Sequence, residues 1–519
     1  MTPTLVSPAN EKTDVDSGVI EDASVHSYSD ECPPVLTAEE EKRLWRKVDM
    51  RLIPISVLLY LMSYLDRGNI GNAKLEGLLT QLDLTGQRYN TALAMYYLSY
   101  CIFIIPANLL LKKLRPSRWL PGLTLAWGIV ATMMGLVKNY PQLVAVRVCL
   151  GIAESGMSPG IYYLLSLWYP KHMLQWRFGL FWGGATCSGA FSGLIAYGIS
   201  FMSGTDGLLG WSWIFIVEGL ATVAVAILAF FGKCLIFLKL VQRTHVLTQS
   251  TEHVRHINDY PLTNKSVYSA DSDYSGGGEE EKFELRQVPK AILDWKIVVA
   301  AITDVTISMP LYGISVFLPS IINGFGFDTV TSQLLTVPPY VLATVIVLIC
   351  SMYSDRMKLR SPFVFSGLVL ALVGYGINVA EVSIGVKYFG TYLVVIGAYL
   401  SAPMELTCYS RIGNNCIGHY KRGIGLGMTV MFGNIGGVIA SNVYRIQDAP
   451  RYTRGHIFEM AFIALGLVLV PLTAFAYVQG NKRRDAAQRE REEKGLEVRY
   501  TEAELRKMGD RAPDFRYTL

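Results

Sequence analysis

Charge is scarce in this chain. Of its 519 residues only 17% are Asp, Glu, Lys or Arg, against about 25% in a soluble globular domain. With 51% of the residues apolar and a positive mean hydropathy, there is too little polar surface for a water-soluble body of this size. Strong net charge is missing too. The formal balance is +5 and no basic stripe is present, so a nucleic-acid partner is excluded. The eight cysteines (Cys32, Cys101, Cys149, Cys187, Cys234, Cys350, Cys408, Cys416) form no CxxC pair and no zinc spacing. They read as small apolar residues of helices. The seven histidines (His26, His172, His245, His253, His256, His419, His456) fall in tails, loops or the ends of apolar runs, which argues against a metal or proton-relay histidine site. No GxxxxGK phosphate loop followed by Ser or Thr occurs, so nucleotide-driven pumping is disfavoured. No His, Cys or paired acids gather at one membrane face, so neither an enzyme nor a cofactor is expected. A secretory leader is absent: residues 1–36 are rich in Ser and acids (Asp14, Asp16, Glu21, Asp22, Asp30, Glu31) and read as a disordered cytosolic tail.

What the chain does have is long apolar runs. They fall at about 52–72, 90–111, 119–138, 142–166, 177–202 and 211–238, then at 295–323, 332–353, 362–380, 387–408, 422–444 and 456–478. Each reaches the ~20 residues that cross a bilayer core. A polar stretch with Ser-Gly-Gly-Gly at 275–278 separates the two sets and reads as a flexible linker. The expected organisation is a tail with a juxtamembrane helix (1–50), a six-helix bundle (51–239), a cytosolic linker (240–293), a second six-helix bundle (294–479) and a closing cytosolic tail (480–519). The fold class is thus an all-α membrane protein of twelve transmembrane helices in two halves. Two such halves rocking about a central site is a solute-carrying architecture.

Lys and Arg set the orientation. The even-numbered loops carry Lys112, Lys113, Arg115 and Arg118, then Lys171, then Arg356, Lys358 and Arg360, then Arg411, Lys421 and Arg422. These should face the cytosol with both termini, in the plasma membrane. Arg445, Arg451 and Arg454 on the other side are exceptions.

Ionisable groups inside apolar runs are costly unless paired or hydrated, so they carry the functional reading. Asp66 and Arg67 are adjacent in the first span and must point ~100° apart on a helix. One can face a central cavity while the other pairs with a neighbouring helix; the alternative is a helix end with both charges solvated. Arg147 and Glu154 in the fourth span are seven residues apart and share a face, ~10 Å apart along the axis. An Asp66–Arg147 pair is the expected geometry, either within a working site or as a purely structural tie. Arg67 and Arg147 offer planar forks that suit a carboxylate. Asp66 and Glu154 can take up protons, because loss of hydration favours the uncharged acid. Protonating Asp66 would release Arg147 to the anion, which is symport. Asp304 of the seventh span lines the cavity from the second half or bonds a local Ser or Thr. Asp355, Arg356, Lys358 and Arg360 place an acid before three bases at a helix end, a gate rather than topogenic charge alone. Glycines in the fifth and eleventh spans provide for close helix packing.

At these residues the chain resembles the major facilitator superfamily, and within it the fungal anion:cation symporter family of allantoate, nicotinate and related permeases. The matching stretches are Tyr-Leu-Asp-Arg-Gly-Asn-Ile-Gly-Asn-Ala (64–73), Pro-Ser-Arg-Trp-Leu-Pro (116–121), Gly-Ile-Ala-Glu-Ser-Gly-Met-Ser-Pro-Gly (151–160), Trp-Ser-Trp-Ile-Phe-Ile-Val-Glu-Gly (211–219), Gln-Leu-Leu-Thr-Val-Pro-Pro-Tyr (333–340) and Ser-Asn-Val-Tyr-Arg-Ile-Gln-Asp-Ala-Pro-Arg-Tyr (441–452). The resemblance implies a twelve-helix alternating-access fold and proton-coupled uptake of organic anions. It implies coupling and substrate contact at Asp66, Arg67, Arg147 and Glu154, and gating at Asp355–Arg360. The first-half copy of that gate, 112–118, lacks its acid. The fifth span lacks the Gly-Pro-x-x-Gly-Gly signature of drug-exporting antiporters. The expected partners are therefore a small organic anion, a proton and the lipid bilayer. An exporter of an acidic metabolite and a nutrient-sensing transceptor are the competing readings.

Overall fold

The computed structural model describes residues 38–113, 116–169, 174–231, 293–357, 361–415 and 419–494. The tail 1–36, all but the last residue of the linker 240–293, and the end of the closing tail lie outside the described residues. Among the described residues the chain is helical with no strand. The first span is α1, Ala38–Ala73, prolonged through a π turn at Lys74–Leu78 and a last turn at Leu79–Gln81. There follow α2 (Arg88–Lys113), α3 (Pro116–Met134), a fourth span in two pieces, α4 (Tyr140–Glu154) and α5 (Met157–Trp168), then α6 (Leu174–Ser200) and α7 (Gly210–Phe231). The second set is α8 (Trp295–Asn323), a span in two pieces, α9 (Thr329–Leu334) and α10 (Val337–Met357), then α11 (Ser361–Val379), α12 (Ile384–Asn415), α13 (His419–Val443) and α14 (Thr453–Glu493).

Every expected apolar run carries helix. Among the described residues eight helices are long and apolar enough to cross a membrane. The fourth span falls short by length because it is cut at Ser155–Gly156 into pieces of 15 and 12 residues. Pro159 supplies a local reason: it has no N–H to donate back to Ser155, and it falls in the first turn of α5, where that missing donor costs nothing. The expected boundaries at residues 50 and 479 are not helix ends. α1 runs unbroken from the juxtamembrane segment into the bilayer, and α14 continues to Glu493.

Polarity is distributed inside out. Large apolar side chains such as Ile102, Leu228 and Phe475 are exposed, while Asp66, Arg67, Arg147, Glu154, Glu218, Asp304 and Glu459 are buried. A lipid solvent explains both facts. α8 is the central helix: 83% of its apolar window is buried, against 22% for α14 at the periphery. The halves meet where α6 packs on α10 and α2 on α13, with α1 against α8. At Gly193 of α6 a β-carbon would stand 2.8 Å from the Gln333 carbonyl oxygen, so only glycine permits that approach. The end of the bundle opposite Ala38 and Glu493 is tied across the halves. Gln333 Nε2 donates to Glu76 Oε1 at 2.9 Å, and Asn90 Nδ2 donates to the Tyr444 carbonyl at 3.1 Å.

Candidate functional site

Asp66 and Arg67 lie inside α1, whose regular helix continues to Ala73 and whose chain kinks only at Glu76 and Gly77. Both are buried, so the solvated helix-end alternative does not hold. Their side chains diverge as helical geometry requires. Arg67 turns to α4, where its Nε and Nη2 both reach Glu154 Oε1, at 2.8 and 2.7 Å. Ser63 Oγ donates to the same carboxylate oxygen, and Tyr96 OH donates to Oε2 at 2.5 Å. Ser63 and Arg67 are one turn apart on α1, so one helix face grips the acid. Glu154 closes α4 immediately before the break, and its side chain is fully buried.

The guanidinium of Arg67 also faces three rings, with its Cζ 5.0 Å from the centre of Tyr64, 5.8 Å from Tyr96 and 5.2 Å from Tyr100. Cation–π contact of this kind holds a cation without neutralising it. Arg67 Nη1 donates to Tyr312 OH at 3.4 Å, and Tyr312 OH donates to Asn434 Oδ1 at 3.4 Å. This chain of contacts runs from α1 in the first half to α8 and α13 in the second. The three residues border a narrow chamber of ≈ 30 Å³, walled by Tyr60, Tyr64, Tyr100, Tyr162 and Trp182, and by Asp304 from α8. The space is far smaller than an open small-molecule site, and its wall mixes aromatic rings with the polar groups of Arg67, Ser158, Asp304 and Asn434.

Asp66 turns the other way. Its Oδ2 accepts from Trp127 Nε1 of α3 at 3.0 Å and from Thr222 Oγ1 of α7 at 3.3 Å. The expected Asp66–Arg147 ion pair is not formed: among the described residues no such contact falls within 4.0 Å, and the ion pair of the site is Arg67–Glu154. Arg147 lies instead with its Cζ 5.9 Å from the ring of Phe215 on α7, outside the residues that wall the chamber. It shares a face with Glu154 but lies about two turns earlier on α4, at the level of Phe215.

Residues 56–441 match the Major Facilitator Superfamily. The chain belongs to that superfamily. It is a transporter and not an enzyme. It is 32% identical over 540 residues to the MFS-type transporter cnsO of Penicillium expansum, covering 100% of this chain and 98% of that one. It is 33% identical over 477 residues to the high-affinity nicotinic acid transporter of Saccharomyces cerevisiae, covering 92% and 85%. Among solved structures, a bacterial homolog of the human lysosomal transporter Spinster, in an inward-facing and unoccupied conformation, matches with a TM-score of 0.59 at 13% identity. That match covers 82% of this chain and 97% of that one and bears on the fold alone.

Sequence reasoning about this transporter leaves several buried groups without a role. Glu218 of α7 and Glu459 of α14 are buried, and neither carboxylate oxygen of either has a hydrogen-bond partner among the described residues. Both are legible as acids inside apolar runs. Lys74 is buried against Tyr89, Phe317 and Tyr452, its Nζ 5.3 to 5.6 Å from each ring centre. A span ending at residue 72 hides it, because the π turn that carries α1 onward leaves no periodicity signal. His456, expected at a span end, is buried with its Nδ1 3.3 Å from Tyr444 OH. Of the gate residues Arg356 is exposed in the last turn of α10. The side chains of Asp355, Lys358 and Arg360 lie outside the described residues.

Proposed function

We propose that this transporter is a proton-coupled symporter of a small organic carboxylate, working by alternating access. The observation that carries the reading is the state of Arg67. It is the guanidinium at the chamber wall, and its charge is already taken by Glu154. A cargo carboxylate must displace Glu154 to bind there. Adding a proton to Glu154 removes the competing charge while Ser63 and Tyr96 can still hold the neutral acid in place. The fork of Arg67 then turns to the cargo, so anion and proton occupy the site together. Loss of the proton restores the ion pair and expels the anion. The exchange expected of Asp66 and Arg147 thereby falls to Glu154 and Arg67.

The aromatic side chains suit stacking against a flat, partly apolar body attached to the carboxylate once the halves part and the chamber widens. The nicotinic acid transporter of yeast supports the same cargo class. Asp304 faces the chamber from the second half and is assigned a supporting coupling role. The reading places both termini in the cytosol of a plasma-membrane protein, with Asp355, Arg356, Lys358 and Arg360 as the cytosolic gate.

The test uses nicotinate as a probe in proteoliposomes. Wild type should accumulate it when the outside is acidic. Glu154→Gln should lose that accumulation yet retain counterflow exchange, since a neutral amide leaves Arg67 permanently available. Undiminished gradient-driven accumulation in Glu154→Gln would remove Glu154 from coupling.

A further inference from the structure

We propose that Glu218 is a second proton-carrying acid of this transporter, paired with Asp66 beside Arg147 and set apart from the chamber. Phe215, Glu218 and Thr222 fall at i, i+3 and i+7 on α7 and so share one face. That face is turned toward α1 and α4. Phe215 lies 5.9 Å from the Arg147 guanidinium, and Thr222 Oγ1 donates to Asp66 Oδ2 at 3.3 Å. Glu218 therefore stands between the level of Arg147 and the level of Asp66. Behind it α3 closes the space: a β-carbon on Gly219 would meet the Thr132 backbone nitrogen at 2.4 Å, and Trp127 of α3 donates to the same Asp66 oxygen.

The charges facing this enclosure can be counted. α1 contributes Asp66, α4 contributes Arg147, and α7 contributes Glu218. Asp66 is the charged group acting on Glu218, while Arg147 and Glu154 act on Asp66. From α2, Tyr89, Tyr96 and Tyr97 face Arg147. Glu154 is already balanced by Arg67. With both remaining acids ionised, the one guanidinium acting on Asp66 would leave a second negative charge buried without compensation. Such a charge is strongly disfavoured in a membrane interior, and two neighbouring carboxylates resolve it by keeping one proton between them.

Hydrogen bonding decides where that proton resides. Asp66 accepts from two donors, which suits an ionised group. Glu218 is 2% exposed and accepts from none among the described residues, and Nε and Nη2 of Arg147 likewise have no hydrogen-bond partner there. A carboxylate without donors is the form that burial disfavours most, so the proton sits on a Glu218 oxygen. Only one O–H bond forms, and the group goes from one negative charge to none. Arg147, unengaged by hydrogen bonds at those two nitrogens, acts on Asp66 in this conformation. If it moves toward Glu218 during the conformational cycle, the proton leaves. This last step rests on the proton-coupled reading above, whereas the protonation of Glu218 does not.

The experiment therefore has two arms. In the first, pH-difference infrared spectra of the purified, reconstituted full chain are compared for wild type, Glu218→Gln and Asp66→Asn, with no cargo present. Wild type should show a protonated-carboxyl band that fades as pH rises and is lost in Glu218→Gln. In Asp66→Asn the band should persist and fade at a different pH. No band sensitive to Glu218→Gln, or a band whose titration ignores Asp66→Asn, overturns the proposal; the second comparison stands even if the glutamine variant does not fold. In the second arm, nicotinate accumulation under an acid-outside gradient should be lost in Glu218→Gln while counterflow persists. Wild-type accumulation in Glu218→Gln overturns the transport role. Failure of the wild type to couple nicotinate to protons would instead count against the symport reading, while the infrared spectra would still decide the protonation of Glu218.

Discussion

Glu154 in the first half and Glu459 in the second are both acids at 0% exposure in apolar helices, yet they are held in opposite ways. Glu154 is gripped by Arg67, Ser63 and Tyr96. Glu459 has no hydrogen-bond partner on either oxygen among the described residues. It lies among the uncharged Tyr375 and Tyr444, both within its electrostatic reach. The first half also contributes Arg147, Asp66, Glu218 and Lys74 to the interior, while the second contributes Asp304 to the chamber with neutral groups such as Tyr312 and Asn434. Among the described residues the buried guanidiniums Arg67, Arg147 and Arg177 all lie in the first half, while the buried cation of the second half is Lys296, beside Asp294. Apart from Asp304, the second half lines the chamber with polar and aromatic groups such as Tyr312 and Asn434.

The comparison breaks most sharply at Arg67. Arg67→Ala leaves Glu154 buried with no compensating charge, and removing one member of a buried pair costs about 3–5 kcal/mol. The variant should unfold at a clearly lower temperature in detergent and should not transport nicotinate. Arg67→Lys should recover part of the stability, since the charge returns. It should not recover affinity, because a point charge cannot reproduce the two-nitrogen grip on one oxygen. Wild-type stability in Arg67→Ala would mean that Glu154 is already neutral in the resting protein. The contrast between the halves would then be one of hydrogen bonding alone.

A smaller effect is expected at the seam between the halves. In Gly193→Ala the new β-carbon would stand 2.3 Å from Thr336 Oγ1 and 2.8 Å from the Gln333 carbonyl oxygen. Thr336 can rotate but the carbonyl cannot, and forced overpacking costs about 1–3 kcal/mol. Gln333 also donates to Glu76 across the halves. The strain should therefore emerge as a shift away from the state that is closed at this end. Labelling of a cysteine introduced near Gln81 should accelerate in the alanine variant. Unchanged labelling would show that the seam yields without opening.

The helices are legible because lipid imposes a minimum length and an apolar composition, and both can be read from residue order. The divergence of Asp66 and Arg67 is legible too, because it follows from the helical angle alone. Which of them meets α4 is not, since it depends on the rotation of α1 against α4. That rotation is set by packing at Ser63, Tyr96 and the break after Glu154. Sequence spacing pairs Asp66 with Arg147, whereas the structure pairs Arg67 with Glu154. Lys74 and His456 escape notice for a different reason. A π turn carries α1 past its expected end, and Tyr444 covers the first turn of α14, so both residues are buried at positions where a span is expected to have ended. Glu218 and Glu459 are visible as acids in apolar runs. They gain no role from sequence because neither sits beside an opposite charge, which is the pattern that singles out Asp66 and Arg147.

The smallest effect is expected at Glu459, and it is the finest test of the difference between the halves. If Glu459 is kept as a neutral acid throughout the cycle, Glu459→Gln replaces one uncharged polar group with another of the same shape. Stability should move by no more than about 0.5 kcal/mol, and nicotinate accumulation should stay near wild type. Glu459→Ala should cost more, because α8 packs against the side chain at Gly313 and a cavity would open there. A glutamine variant that folds normally but no longer accumulates nicotinate would place a moving proton in the second half. His456, buried in the same helix with its Nδ1 against Tyr444, would then be the next group to test, and proton movement in the second half would extend beyond the supporting role given to Asp304.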